Sequence, residues 1–257
     1  MTRPSWARVD NYLLRGKDNF EPDRQLAEAM LAAAPGLREL AQQNRRFLLD
    51  AVEVLAAEDG VRQYLDIGSA YPAITDNVHD VAQRVYPSAR IIYVDHDPIV
   101  AAHARALLVS SAAGRVEFIH VDARKPHSIL DDPAFVETID VDEPVGLILT
   151  AVLMCFTDDE AHEIVATLVD GMPAGSHVVI SHPAAESESE ALQAAAVAAE
   201  KDGLLFVPRT REQVAAFVTG LDLATPGLVP MRSWRRGVQT DKLPRKPFSW
   251  AVVARKR

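Results

Sequence analysis

The fold is decided by residues 63–70, Gln63-Tyr-Leu-Asp-Ile-Gly-Ser-Ala70. This stretch is typical of a buried strand that runs directly into a glycine turn, and it carries an acid, Asp66, inside the strand. Burying a carboxylate costs free energy unless a partner binds it, whereas a turn can be built from neutral residues. Because short glycine motifs also occur in ordinary turns, the octapeptide alone leaves a structural turn and a ligand site as equal alternatives.

Two further apolar strands also end in an acid. The second predicted strand, residues 90–95, ends at Asp95, and the third, residues 115–122, ends at Asp122. A helix predicted over residues 75–86 would connect the first two strands in one βαβ unit. Ligands of open α/β sheets bind at the carboxyl ends of the strands, where an acid after the second strand accepts ribose hydroxyls. The three acids therefore predict a ligand site at one edge of a parallel sheet.

The rest of the chain alternates helix and strand. Helices are predicted over residues 23–34, 37–58, 158–170 and 186–201 and from Thr210 onward, and strands over residues 144–150, 177–182, 228–235 and 248–254, the last two pairing as an antiparallel edge. This pattern predicts an α/β fold with a doubly wound, Rossmann-like sheet, mostly parallel with an antiparallel last strand. We expect residues 1–60, polar and rich in turns up to about residue 22, to form an N-terminal helical extension, and residues 61–257 to form the ligand-binding domain as one structural unit.

Composition excludes several classes of protein. The chain has 257 residues, 48% of them hydrophobic, which is enough for a substantial core, and its net charge of −9 argues against general binding to nucleic acids. Its single cysteine, Cys155, cannot form an intrachain disulfide or a cysteine cluster for zinc, and we expect no metal site. The sequence shows neither a signal peptide nor a run of about 18 apolar residues, so we expect a soluble cytoplasmic protein without a membrane contact. The oligomeric state stays open.

The glycine turn discriminates between two classes of cofactor. A dinucleotide site needs Gly-x-Gly-x-x-Gly, whose second glycine lets the backbone approach the phosphates. This chain has Gly68 followed by Ala70 and Ala73 at those positions, so a methyl group would stand where the phosphates come closest. S-adenosylmethionine carries a sulfonium cation and no phosphate, and nearby acids attract it. The turn therefore disfavours a nicotinamide-dependent reductase.

Four segments resemble the successive cofactor-binding segments of class I S-adenosylmethionine-dependent methyltransferases, namely residues 66–70, 94–97, 121–124 and 149–152. Beyond them, the chain resembles a bacterial family of S-adenosyl methyltransferases with undefined substrates. The marks of that family are the leader Arg8-Val-Asp-Asn-Tyr-Leu-Leu-Arg-Gly-Lys-Asp-Asn-Phe20, residues 77–83, residues 93–108, and residues 226–230 with Trp234. The resemblance runs from about residue 4 to the end of the sequence. It implies the class I methyltransferase fold, S-adenosylmethionine as the cofactor and methyl transfer as the reaction.

The resemblance also implies which residues bind the cofactor. Gly68 and the backbone of Ser69 would receive the methionine portion, with Asp66 near its amino group, and Asp95 would accept both ribose hydroxyls. Asp122 would accept from the exocyclic amine of adenine. The full implied set is Asp66, Gly68, Ser69, Ala70, Asp95, His96, Asp97, Asp122, Ala123, Arg124, Thr150 and Ala151. Thr150 and Ala151 would face the amino-acid portion or the substrate.

The leader is too polar for an ordinary helix and suggests a mobile cover. Tyr12, Arg15, Gly16 and Lys17 are candidates for contacts from a lid that closes over the cofactor and excludes water. An equal alternative is that Lys17 and Asp18 merely attach the leader to the domain surface through weak ion pairs.

No residue is assigned as catalytic from the sequence. In-line methyl transfer requires mainly that nucleophile and sulfonium be held in a dry site at attack geometry. If the acceptor is a hydroxyl or an amine, His182 or His79 could remove its proton, although each position also suits a structural histidine. Residues 154–156 are expected to form an apolar wall of the acceptor pocket. We therefore expect a methyltransferase acting on a small molecule, with a regulatory module that binds the cofactor without turnover as the alternative.

Overall fold

The computed structural model describes residues 3–73, 76–185, 189–234 and 248–257. The helices are α1 Trp6–Leu13, α2 Glu21–Ala33, α3 Leu37–Ala57, α4 Val78–Val85, α5 Pro98–Leu107, α6 Pro126–Leu130, α7 Pro133–Thr138, α8 Asp158–Asp170, α9 Ser189–Lys201 and α10 Arg211–Ala216. The strands are β1 Gln63–Ile67, β2 Arg90–Asp95, β3 Arg115–His120, β4 Val145–Thr150, β5 His177–Pro183, β6 Asp222–Leu223, β7 Val229–Pro230 and β8 Ser249–Arg255. Short 3₁₀ turns follow β4 and β7.

The strands form a sheet in the order β3-β2-β1-β4-β5-β8-β6, with β7 also paired to β8. Strands β1 to β5 are parallel to one another, and β8 is antiparallel to β5. The order reverses between β1 and β4, so the carboxyl ends of these two strands flank an open crevice. The predicted doubly wound sheet with an antiparallel last strand is confirmed.

Three apolar clusters hold the layers together. One lies on the face covered by α8 and includes Ile164 and Leu168, and a second lies on the opposite face, where Leu48, Val52 and Leu55 of α3 pack against the sheet. The third joins α1, α2 and the start of α3 to α9 through side chains such as Leu26. α3 is therefore part of the sheet's own core, whereas α1 and α2 pack outside it.

The structure corrects the sequence-based expectations at both ends of the chain. The leader, expected to be polar and rich in turns, contains the helix α1, because Val9 and Leu13 are buried against apolar side chains of the third cluster. The last two strands do pair antiparallel, but only over Val229 and Pro230, and β8 lies between β5 and β6 instead of at the edge. Arg235 of the predicted strand lies outside the described residues.

Other boundaries moved for local reasons. The helix predicted over residues 75–86 begins at Val78, where Asn77 and Asp80 form a capping box, and its first predicted residue is outside the described ranges. The helix predicted from residue 186 is described from Ser189 onward. Within residues 125–143, for which no element was predicted, each of the short helices α6 and α7 begins with a proline, a residue that suits the first helical position.

A buried cation attaches α1 to the rest of the protein. Arg8 lies 2.9 Å from Asp23 of α2 and 3.0 Å from Asp97, which follows β2, and the exposed fraction of each of the three side chains is 6% or less. Ser5 strengthens this network, since its hydroxyl donates to Asp97 at 2.8 Å and its backbone N–H donates to Asp23 at 3.0 Å. The leader is therefore attached at the carboxyl end of β2 by buried ion pairs, which are screened much less than exposed ones.

None of the helices in the described ranges is long and apolar enough to cross a membrane.

We expect Arg8→Gln to lower the free energy of unfolding by about 3 kcal/mol, because it leaves two buried carboxylates without their cation. Arg24→Gln is the matched control, since Arg24 pairs with Glu21 at 2.8 Å on an exposed surface and should change stability by less than about 1 kcal/mol. Urea unfolding monitored by circular dichroism gives both values. Equal effects of the two substitutions would contradict a structural role for the buried network.

Candidate active site

The carboxyl ends of the parallel strands open into a large cavity. It has a volume of about 1230 Å³ and borders the crevice between β1 and β4, where open α/β sheets bind ligands. Typical small-molecule sites occupy roughly 300–1,000 Å³. The cavity therefore has room for a cofactor and for a second molecule beside it.

The glycine turn after β1 is shaped by close contact across the crevice. Gly68 has a φ of +71°, and a Cβ atom at this position would overlap the side chain of Val152, which follows β4. The N–H groups of Gly68 and Ser69 both donate to Val94 O, at 2.8 and 3.1 Å. The turn thus depends on glycine for two reasons, its left-handed backbone and the absence of a side chain.

Asp95 is held at the end of β2 by the turn that it faces. Its two carboxylate oxygens accept backbone N–H groups, one from Ala70 at 3.0 Å and one from Asp97 at 2.9 Å. Burial raises the pKa of Asp95 above its usual value, and these two hydrogen bonds oppose the rise. Since a carboxylate has about four acceptor positions, Asp95 retains the capacity to accept a pair of hydroxyls.

Asp66 has no hydrogen-bond donor or ion-pair partner among the described residues, although it is only 4% exposed and lines the cavity. Burial raises its pKa to about 7, while the field of Arg45 lowers it and that of Asp95 raises it further. Arg45 itself donates to Asp76 O at 2.8 Å and to the side chain of Asn77 at 3.3 Å. A buried carboxylate without a partner is stabilised by a cationic ligand group.

The remaining polar groups differ in whether other protein groups already occupy their hydrogen-bonding positions. Asp97 also borders the cavity, but one oxygen caps α5 through Ile99 N at 2.8 Å and the other receives Arg8 and Ser5. Its carboxylate therefore positions α1 and α5. The hydroxyl of Tyr71, in contrast, is buried without a partner among the described residues, and burial raises its pKa to about 12. An unpaired buried hydroxyl beside the glycine turn fits a ligand with hydrogen-bonding groups.

Asp122, Ala123 and Arg124 form the next wall of the cavity. Arg124 folds back on Asp122, with its backbone N–H at 2.9 Å and its guanidinium at 3.1 Å from the carboxylate, and it reaches Glu160 at 2.8 Å. Its guanidinium also lies 4.9 Å from the ring centre of Phe156. His96 is exposed beside them, with Nδ1 3.6 Å from Asp95. The structure thus brings four predicted residues, one after β2 and three after β3, to the same wall of the cavity: His96, Asp122, Ala123 and Arg124.

Thr150 and Ala151 lie at the end of β4 and border the same cavity. Ala151 adopts a left-handed backbone with φ of 53°, as does Ala70 with φ of 55°. The N–H of Ala151 donates to the carbonyl oxygen and the hydroxyl of Ser181, at 3.1 and 3.0 Å. The Ser181 hydroxyl in turn donates to the side chain of Asn44 in α3. Backbone strain of this kind in residues other than glycine is concentrated at functional sites.

The geometry argues against both histidines as bases. His182 is buried, with Nδ1 2.9 Å from Pro183 O and Nε2 2.9 Å from the guanidinium of Arg209, and burial together with that cation lowers its pKa to about 3. His79 does not line the cavity, because its Nδ1 contacts the hydroxyl of Tyr93 at 2.9 Å and its Nε2 lies 3.3 Å from Asp80. Neighbouring protein groups thus contact both ring nitrogens of each histidine. Burial also raises the pKa of Cys155 to about 12, which leaves the thiol protonated.

The four leader residues separate into two groups. Arg15, Gly16 and Lys17 are exposed and line the cavity, and within the described ranges neither cation forms an ion pair. Tyr12 does not line it, since its hydroxyl donates to Glu28 and its ring carries the guanidinium of Arg38 at 5.4 Å.

Part of the cavity wall is apolar, and we call the space beside these side chains the acceptor chamber. It is lined by Leu13, Met30, Leu37, Leu40, Ala41, Met154, Cys155, Phe206 and Met231. Of the predicted wall, Met154, Cys155 and Phe156 all border the cavity. Four polar residues of α1 and α3 also line the cavity and were missed from the sequence: Asp10, Asn11, Asn44 and Arg45. The only sequence signal was their position on the apolar side of amphipathic helices.

Comparison with known proteins supplies the family. A family model described as S-adenosyl methyltransferase matches residues 1–257. A DUF574 family protein from Streptomyces avermitilis is similar at 33% identity and a TM-score of 0.92, over 99% of this chain and 98% of that one. A protein from Thermobifida fusca YX, provisionally assigned as a methyltransferase, is similar at 35% identity and a TM-score of 0.89, over 99% and 96% of the two chains.

More distant similarity supports the fold alone. Human N-acetylserotonin methyltransferase in complex with S-adenosylmethionine is 15% identical, with a TM-score of 0.54 over 91% of this chain and 57% of that one. No curated protein matches the chain. The match of the family model to the whole length favours an enzyme over a binding module without turnover. The chain belongs to the S-adenosyl methyltransferase family and is an enzyme that uses S-adenosylmethionine as its cofactor.

Proposed function

We propose that the enzyme transfers the methyl group to a small-molecule acceptor bound in the acceptor chamber. The observation that carries this proposal is the continuity of the cavity, which runs from the Gly68 turn and Asp95 into a chamber covered by α1, α2 and α3. A chamber with apolar walls and a few polar groups suits a small organic molecule.

We further propose a division of roles around the cofactor. Gly68, Ser69 and Ala70 receive the methionine portion through the backbone, with Asp66 as the partner of its amino group and Asp95 as the acceptor of the ribose hydroxyls. The buried unpaired carboxylate of Asp66, the two free acceptor positions of Asp95 and the orphaned hydroxyl of Tyr71 support this fit. His96, Asp122, Ala123 and Arg124 surround the adenine, and Thr150 and Ala151 separate the cofactor from the acceptor chamber.

The N-terminal residues 1–60 serve, in this proposal, as an extension that closes the site. The buried Arg8 holds α1 against Asp97, so the cover is attached next to the ribose position. Arg15, Gly16 and Lys17 line the cavity from the exposed side, and the absence of ion pairs to them in the described part of the chain supports contact with a ligand over simple attachment. Asp97 and Tyr12 position the extension and do not contact the cofactor.

When bound, S-adenosylmethionine supplies an electrophilic methyl group on a sulfonium. The protein's own contribution is to orient and to exclude water. The glycine turn and Asp95 hold one reactant, and the apolar walls of the acceptor chamber hold the other in a region of low dielectric. Acids at the turn favour the positive charge that the methyl donor carries.

The size of the acceptor can be tested with methyl-labelled S-adenosylmethionine and a cell extract divided by ultrafiltration into low-mass and macromolecular fractions. We expect enzyme-dependent label in the low-mass fraction, because Leu13, Met30 and Leu37 of three different helices line the same cavity as the glycine turn. Heat-inactivated enzyme is the control. Label in the protein or nucleic-acid fraction alone would contradict the small-molecule proposal.

The role of Asp95 predicts the affinity for the product, S-adenosylhomocysteine. Asp95→Asn keeps the size of the side chain but removes the charge and one acceptor. We expect the Kd of this variant for S-adenosylhomocysteine to be at least about tenfold higher than that of the wild type in calorimetric titration. Asp132→Asn is the matched control, because Asp132 also accepts a backbone N–H, from Ala134 at 2.8 Å, but lies outside the cavity. Folded wild-type protein that binds no S-adenosylhomocysteine would contradict the assigned site.

The raised pKa of Asp66 predicts how stability depends on pH. Ionisation of the buried Asp66 carboxylate destabilises the folded protein. This destabilisation is absent below pH 4, grows as the pH rises towards the folded-state pKa of about 7, and is fully present above it. At pH 8 we therefore expect Asp66→Asn to be more stable to urea than the wild type, by on the order of 2–4 kcal/mol without ligand. The difference should disappear near pH 4. A difference independent of pH would show that Asp66 has an ordinary pKa.

A further inference from the structure

Arg45 is a cation that borders the cavity from outside the four predicted cofactor-binding segments. It lies on α3, its side chain is half-buried, and it lines the same cavity as the glycine turn. It forms no ion pair with any carboxylate in the described part of the chain, and the hydrogen bonds that it donates to described residues all leave from Nη2. Of the five N–H donors of a guanidinium, the three on Nε and Nη1 are therefore available to a ligand.

Two hydrogen bonds fix the position of this guanidinium. Its Nη2 donates to Asp76 O at 2.8 Å and to the side-chain oxygen of Asn77 at 3.3 Å. The Asn77 side chain is itself attached to Ala73, because it accepts from Ala73 N at 2.9 Å and donates to Ala73 O at 3.0 Å. Residues 68–73, which begin at the glycine turn, all line the cavity. These contacts place the Arg45 guanidinium at the far end of that segment.

The helical period of α3 explains why Arg45 reaches the cavity. Cavity-lining residues recur along α3 at spacings of three and four, as on one face of a helix: Leu37, Leu40, Ala41, Asn44, Arg45 and Leu48. The next residue, Arg46, is exposed and does not line the cavity. Asn44 accepts from the Ser181 hydroxyl at the end of β5, while Arg45 contacts the segment after β1. This face of α3 therefore contacts two sides of the site.

Arg45 and Asp66 are opposite charges that border one cavity without pairing. Neither forms an ion pair with the other or with any other described residue, although Asp66 is buried. The field of Arg45 lowers the pKa of Asp66, which agrees with their location around one space. The other cations that line the cavity, Arg15 and Lys17, are exposed, so water screens them more strongly than Arg45. A ligand with an ammonium and a carboxylate would satisfy both unpaired charges.

We propose that Arg45 binds the carboxylate of the methionine portion of S-adenosylmethionine, so that Asp66 and Arg45 together recognise its α-amino acid group. This inference rests on the proposed function, which assigns the amino group to Asp66. A guanidinium pairs with a carboxylate through charge-assisted hydrogen bonds, which are stronger than neutral ones. Holding both polar groups also fixes the direction of the chain that leads to the sulfonium. Residues 1–60 then take part in cofactor binding through α3.

The test uses two ligands that differ in one group, S-adenosylhomocysteine and its decarboxylated analogue, which keeps the amine, the sulfur and the adenosine. Each is titrated calorimetrically at pH 7.5 into the full-length protein. We expect the wild type to bind S-adenosylhomocysteine about tenfold or more tightly than the analogue, and Arg45→Gln to bind the two ligands within about threefold of one another. A merely structural role for Arg45 would weaken both ligands by the same factor and leave their ratio unchanged.

Arg46→Gln is the matched control, because it removes the same charge from the neighbouring exposed position and should leave the ratio of the two Kd values as in the wild type. Arg45→Gln should still bind the decarboxylated analogue within about threefold of the wild type, which shows that its site is folded. Equal binding of the two ligands by the wild type, a preference that survives in Arg45→Gln, or loss of both ligands in Arg45→Gln would each overturn the inference. Failure of the folded wild type to bind either ligand would instead overturn the proposed site.

Discussion

The arrangement of the site depends on one buried cation, Arg8. Its guanidinium joins Asp23 of α2 to Asp97 at the end of β2, and the exposed fraction of all three side chains is 6% or less. Because removing one member of a buried ion pair is far more costly than losing a surface pair, this network holds the extension in one place over the sheet edge. α1 and α2, which this network attaches to the end of β2, contribute Leu13 and Met30 to the lining of the cavity.

A second constraint is a buried carboxylate that lacks a cationic partner among the described residues. Asp66 is removed from water, and burial raises its pKa to about 7. A protein tolerates this cost where a ligand with positive charge relieves it. In the proposed function, the positive charge of the methyl donor relieves this cost at the glycine turn. Two left-handed alanines, Ala70 and Ala151, store backbone strain beside the same cavity.

The histidines show why residue type and position are not sufficient to assign a catalytic role. His182 stands at the end of β5 beside the cavity, yet Pro183 O and the buried guanidinium of Arg209 engage both of its ring nitrogens. Arg209 is 27 residues away in sequence, and no local pattern connects it to His182. Asp97 is similar, since the cation that engages it comes from a helix 89 residues earlier. Pairings of this kind are set by packing between elements, so a list of candidate residues cannot reveal them.

The sequence by itself determined the alternation of strands and helices, the glycine turn and the acids at the ends of three strands, because these depend on local periodicity and on the shared edge of a parallel sheet. It also carried the family resemblance that the comparisons bear out. Only the tertiary structure decided that the polar leader forms a helix, that β8 lies inside the sheet, and that Asp10, Asn44 and Arg45 reach the cavity. Those outcomes depend on contacts between distant segments, which determine whether a charged side chain is paired, free or buried.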